Sequence, residues 1–233
     1  MGIIFSAIAY LTLVVFNAAV FVKTALLWKA AGSSVAGRGG AIAATRLSCR
    51  AALKTTGDIF FLTRLLKTND VLWFGEWLFH CSFLLVVIRH LRYVLDPVPG
   101  WVAFMQPAGI IASYLLPAAL LYILILKLAV DRSYAPLYNL FLLVLLLLLI
   151  ATGFLMRTAA RADIVATKVF ILGIVHFSPQ ALPGNLLFSL HFILFLLLIL
   201  CLPTHIVAAP LIMLEARERE DNLRQILHNK HGG

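Results

Sequence analysis

Hydrophobic positions along this chain fall in long unbroken blocks, with no strand-like alternation. Five blocks are apolar enough and long enough to cross ~30 Å of hydrocarbon, which takes ~20 residues of helix. They cover residues 3–22, 71–94, 107–126, 137–155 and 186–209. The pattern predicts an all-α integral membrane protein, a bundle of five transmembrane helices. With no internal repeat or low-complexity linker, residues 1–233 read as a single domain. The first block has no cationic leader and no small-residue cleavage site, so it reads as a retained span. Pro117 is an expected kink in the third. Residues 164–174 are apolar but too short to cross, and are expected to lie in the interface or re-enter the membrane.

Composition sharpens the class. The 233 residues are 62% hydrophobic and 12% charged, with a mean hydropathy of +0.99. A soluble domain carries about 25% charged residues, so a water-soluble globule is excluded. Three widely spaced cysteines (Cys49, Cys81 and Cys201) form no CxxC or CxxCH motif. That excludes a disulfide scaffold, a zinc ribbon and covalent haem attachment. The net charge of +9 reads as positive-inside bias, not as nucleic-acid binding. Of the 19 Lys and Arg residues, 14 fall on one side of the five spans and 5 on the other. The richer side is expected to be cytoplasmic, giving an outer N-terminus, an inner C-terminus and a cytoplasmic tail over residues 215–233. On that side Arg46, Arg50 and Lys54 recur every four residues ahead of an apolar run over 59–66, a pattern suited to lipid headgroups. The tail, with its Glu215/Arg219 pair, reads as a helix that docks a soluble partner or ends in solvent.

Four histidines lie inside two spans, and ionisable groups at that depth mark functional sites. His80 and His90 are ten residues apart, ~15 Å along a helix and about 80° around it. His191 and His205 are fourteen apart, ~21 Å along the axis and about 40° off a common face. The two spans run antiparallel by parity, so His80 is expected level with His205, and His90 level with His191. Two facing imidazole pairs suit two b-type haems, each held by two axial ligands with no open position. Transition-metal conduction would want more carboxylates than the lone Glu76. A proton relay would not need matched pairs. A haem-free anchor using the histidines for metal or protons is the alternative from another class.

Around these ligands, Arg89, Arg92 and Tyr93 flank His90 and are candidates to meet haem propionates, Arg being suited to bidentate carboxylate contacts. Snorkelling to the interface is the plainer alternative for the arginines. Glu76, one turn before His80, is a candidate for the same site or a marker of the span's end. His176, Arg89 and Trp101 are the candidates for a quinone headgroup on the outer side.

The segment FGEWLFHCSFLLVVIRHLRYVLDPVPGW (residues 74–101) resembles the second span of respiratory nitrate reductase gamma subunits. It is still more similar to the cytochrome b subunits of anaerobic complexes built with heterodisulfide-reductase-like iron–sulfur proteins. HIVAAP, starting at His205, resembles the end of that family's last span. The resemblance implies a quinol-linked dihaem cytochrome b of the prokaryotic cytoplasmic membrane, with a cytoplasmic iron–sulfur partner subunit. By position it implies ligand pairs His80/His205 and His90/His191, and a quinone site beside the outer pair. Two departures stand out. The last-span histidines are about one turn closer than in the nitrate reductase form, and Arg89 stands where that form has a small residue.

Overall fold

The structure, a computed structural model, describes residues 1–36, 57–58, 60–130 and 137–203. His205, the Arg46/Arg50/Lys54 stripe, the tail and residues 204–209 of the fifth predicted span lie outside the described residues. Among the described residues the regular elements are all helices. They are α1 (Gly2–Ala36), α2 (Thr63–Thr68), α3 (Asp70–Val94), α4 (Gly100–Phe104), α5 (Gln106–Val130), α6 (Leu137–Thr158), α7 (Ile164–Val175) and α8 (Leu186–Pro203). Helices α1, α3, α5, α6 and α8 are long and apolar enough to span a membrane, so the chain is a multi-pass membrane protein. Helix α5 continues through Pro117. Helix α7, with 12 residues, is ~18 Å long and stays short of a crossing.

The chain packs as two units, Met1–Val15 with Asn69–Leu200 and Phe16–Thr68 with Cys201–Gly233. In the second, Leu62 has a positive φ of 49°. This interrupts the apolar run before α2, whose Thr68 hydroxyl bonds back to the Arg64 and Leu65 carbonyls. Phe60 and Phe61 are exposed there.

The first unit holds two buried clusters. One joins Leu120 and Ile123 of α5 to Leu143 of α6, with Leu72 and Phe79 of α3 packed against it. The other joins Ala9 of α1, Phe170 of α7 and Phe188, Phe192 and Leu196 of α8. Phe170 is 0% exposed and meets Phe188 and Phe192 edge-on, with centroids 5.8 and 5.4 Å away. The Tyr10 hydroxyl donates to the Ile174 carbonyl at 3.1 Å, tying α1 to α7.

Side chains set where the helices start. The Asn69 carboxamide oxygen accepts from the Leu72 amide at 2.9 Å, and Asp163 accepts from the Val165 and Ala166 amides. Asn185 accepts from the Phe188 amide and donates to the Ala160 carbonyl at 3.0 Å, joining the start of α8 to the end of α6. Each such cap is worth ~1 kcal/mol. Helix α3 packs against α5 through Gly109, where an added Cβ would sit 2.8 Å from the Arg89 Cβ and 3.1 Å from the Leu85 carbonyl. Small residues permit such close helix approach where lipid supplies no hydrophobic drive.

A candidate haem site at the Val94 end of α3

Helices α3 and α8 bring the rings of His90 and His191 close together. Their ring centroids are 6.4 Å apart and their planes 15° from parallel. Two imidazoles bound on opposite sides of one metal, at the ~2.0–2.1 Å of a metal–imidazole bond, have centroids about 6 Å apart. The observed 6.4 Å is close to that spacing and too wide for ring stacking.

The hydrogen bonds prepare both rings for that role. His90 Nδ1 lies 2.7 Å from the Val86 carbonyl one turn back. A carbonyl only accepts, so Nδ1 carries the proton and Nε2 keeps its lone pair for a metal. His191 Nδ1 lies 3.0 Å from both the Leu149 carbonyl and the Thr152 hydroxyl of α6. That hydroxyl itself donates to Leu149 at 2.8 Å, which leaves it free to accept from the ring. Outer hydrogen bonds of this kind fix the tautomer and orientation of a ligating histidine. Gly153 completes the seat: a Cβ there would stand 3.1 Å from His191 Cε1.

Cations gather at the same end. The Arg92 guanidinium lies 4.6 Å from the Tyr93 ring centroid and donates to the Tyr93 hydroxyl. Its Nε is buried without a hydrogen-bond partner. Arg89 Nε donates to the Gln106 side chain at 3.4 Å. Arg157 Nη1 donates to the Ser113 hydroxyl at 2.8 Å and covers the Tyr114 ring at 4.9 Å. Arg89 interacts electrostatically with both Arg92 and Arg157. Among the described residues none of the three has a carboxylate partner; the ion pairs Lys127–Glu76 and Lys168–Asp96 involve other cations. An uncompensated cationic group with a buried orphan donor fits a ligand that brings its own carboxylates, as haem does.

His80 shows the same local preparation, with Nδ1 2.6 Å from the Glu76 carbonyl. The Glu76 side chain is engaged elsewhere, 3.2 Å from Lys127 of α5, so Glu76 serves His80 through its backbone. His80 and His90 are both exposed, which inside a span calls for a covering group. Trp101 is exposed on α4 and His176 is exposed at the end of α7. Among the described residues no hydrogen bond or ring contact joins either of them to His90 or His191. Among those residues, too, no three His, Cys, Asp or Glu side chains converge as in a protein-only metal centre. Thr152, Gly153, Gln106 and Arg157 carry no sequence signal of their own and emerge only from the packing.

Comparison with known proteins gives two curated relatives. The chain is 32% identical to the "Hdr-like menaquinol oxidoreductase cytochrome b-like subunit" of Archaeoglobus profundus, over 52% of this chain and 41% of the relative. It is 31% identical to the protein of the same name in Archaeoglobus fulgidus, over 52% of this chain and 44% of that relative. The chain thus spans less than half the length of these relatives. No family model matches, and no solved structure does.

Proposed function

We propose that this chain is a membrane cytochrome b subunit that passes electrons between membrane quinol and a cytoplasmic iron–sulfur partner. The observation that carries the reading is the His90/His191 pair, with centroids 6.4 Å apart and each Nδ1 committed to a backbone carbonyl. The names of the two Archaeoglobus relatives point the same way. His90 and His191 hold one b-type haem, and His80 with His205 holds a second. Bis-imidazole haem supplies one-electron transfer with no open coordination position.

The remaining chemistry belongs to the protein. Val86, Leu149 and Thr152 hold protons on the two Nδ1 atoms and keep each Nε2 basic. Arg89 and Arg92 bind the propionates, and their positive charge favours the reduced, more negative centre. Aromatic and aliphatic side chains from α1, α7 and α8 form a buried apolar cluster around Phe170. The positive-inside count sets the Val94 end of α3 outward. A quinol oxidised at that end releases its protons outside while its electrons move inward, which separates charge across the membrane.

A reduced-minus-oxidised visible spectrum of the purified chain, with haem measured per polypeptide, tests the reading. Two b-type haems per chain are expected. No haem, in protein made with haem supplied, would overturn it.

A further inference from the structure

A groove runs between α5 and α6 along the outside of the bundle. It has a volume of about 540 Å³ and is lined by Pro117 and Leu121 of α5 with Val144, Leu147, Leu148, Ala151 and Phe154 of α6. No charged or hydrogen-bonding side chain lines it. Its size lies within the ~300–1,000 Å³ of small-molecule sites. On α5 the lining stripe Leu121–Pro117 continues by helical spacing to Tyr114, and the Tyr114 ring meets Phe154 edge-on with centroids 5.8 Å apart. The groove therefore ends at an aromatic corner.

That corner is polar on its far side. The Arg157 guanidinium lies over Tyr114 and spends one N–H on Ser113, while the Ser113 hydroxyl donates to the Ile110 carbonyl at 2.6 Å. Arg carries five N–H donors, so Arg157 retains donors for a ligand oxygen. Tyr114 is 49% exposed. On α6 the corner adjoins the seat of His191 in sequence: Phe154 follows Gly153, where an added Cβ would stand 3.1 Å from His191 Cε1.

We infer that this groove binds an isoprenoid-tailed quinone or quinol, the tail along α5 and α6 and the ring against Tyr114 and Phe154 with an oxygen on Arg157. A hydrocarbon slot alone would suit any acyl chain. What selects a quinone is the aromatic corner at its end, a cation with spare donors beside it, and the direct sequence adjacency of Phe154 to Gly153 at the seat of His191. The inference rests on the quinol-linked reading above, and it moves the ring site to Tyr114 and Arg157 from the sequence-based candidates His176, Arg89 and Trp101.

The test uses the full haem-loaded chain in phosphatidylcholine nanodiscs, with a photoreactive azido-menaquinone bearing an isoprenoid tail. Label is expected within residues 113–121 or 144–157. Ala151→Phe, which fills the groove, is expected to cut the preference for tailed over tail-less quinone about tenfold. Arg157→Leu should weaken both probes, and Ile193→Phe, on the exposed face of α8, should change neither. Label confined to other segments, with A151F binding as the parent does, overturns the site. So does displacement of the label by excess phosphatidylglycerol but not by unlabelled quinone. The underlying reading fails separately: label in the groove without reduction of the chain's haem by any quinol keeps the site and removes the electron-transfer role.

Discussion

His90 and His80 sit on one helix, ten residues apart, with the same bond from Nδ1 to the carbonyl one turn back, yet their surroundings differ in kind. At His90 a second imidazole lies close to the first, and Arg89, Arg92 and Arg157 stand without carboxylates among the described residues. One turn before His80, Glu76 and Lys127 neutralise each other at 3.2 Å. The helix alone thus prepares an imidazole for a metal, because the i−4 carbonyl is always within reach. What distinguishes the sites is what neighbouring helices bring. The Val94 end supplies a partner ligand and net positive charge, whereas the Asp70 end supplies a balanced pair. On equal ligation a haem at the positive end would be the easier to reduce.

The most severe break in this comparison is His191→Ala. It is expected to abolish the haem at the Val94 end while His80→Ala spares it; if each variant loses both haems, the two sites are not independent. Gly153→Leu comes next, since a branched side chain must displace a ring that already stands 3.1 Å from the position of a Cβ. Most of the same haem should be lost, with Gly153→Ala giving a partial loss, and a full complement in the leucine variant would refute the seat. Thr152→Val removes the hydroxyl but leaves the Leu149 carbonyl, so haem affinity at that site should fall ~10-fold, the low end for an outer-shell partner; titration of the haem-free protein checks it. Arg92→Leu should lower that haem's midpoint potential by tens of millivolts and leave the other unmoved, as redox titration would reveal. Glu76→Gln is the mildest. Losing a partly exposed ion pair costs ~0–1 kcal/mol, and a loss of the haem at His80 would show that the carboxylate does more than pair with Lys127.

Much of this was legible in advance. Five apolar blocks became five long helices because nothing but an internally bonded helix satisfies the backbone in hydrocarbon. The approach of His90 to His191, with centroids 6.4 Å apart, followed from helical rise and antiparallel parity; their ligation of one haem is the proposal made above. The same arithmetic pairs His80 with His205, which lies outside the described residues. Other features could not be read. Gly153 has no side chain to advertise a role, and its value is a clearance measured from another helix. Thr152 interrupts a Leu/Val/Ile run as any small polar residue does. Glu76 read as a candidate for the site of His80 or a marker of the span's end, and its contact with Lys127 could not be read because that residue is 51 positions away. Arg157 closes a span, where basic residues are common, and only its contact with Ser113 and Tyr114 separates it from a snorkelling end.

The near-parallel set of the His90 and His191 rings, 15° apart, reaches beyond coordination into magnetism. Parallel imidazole planes act on the iron d orbitals in the same direction, so their π interactions add and lift the orbital degeneracy. Perpendicular planes largely cancel. The oxidised low-spin centre at this end should therefore give a resolved rhombic electron paramagnetic resonance spectrum with three separate g values. A single, strongly anisotropic low-field feature would mean that the rings turn away from each other when iron binds.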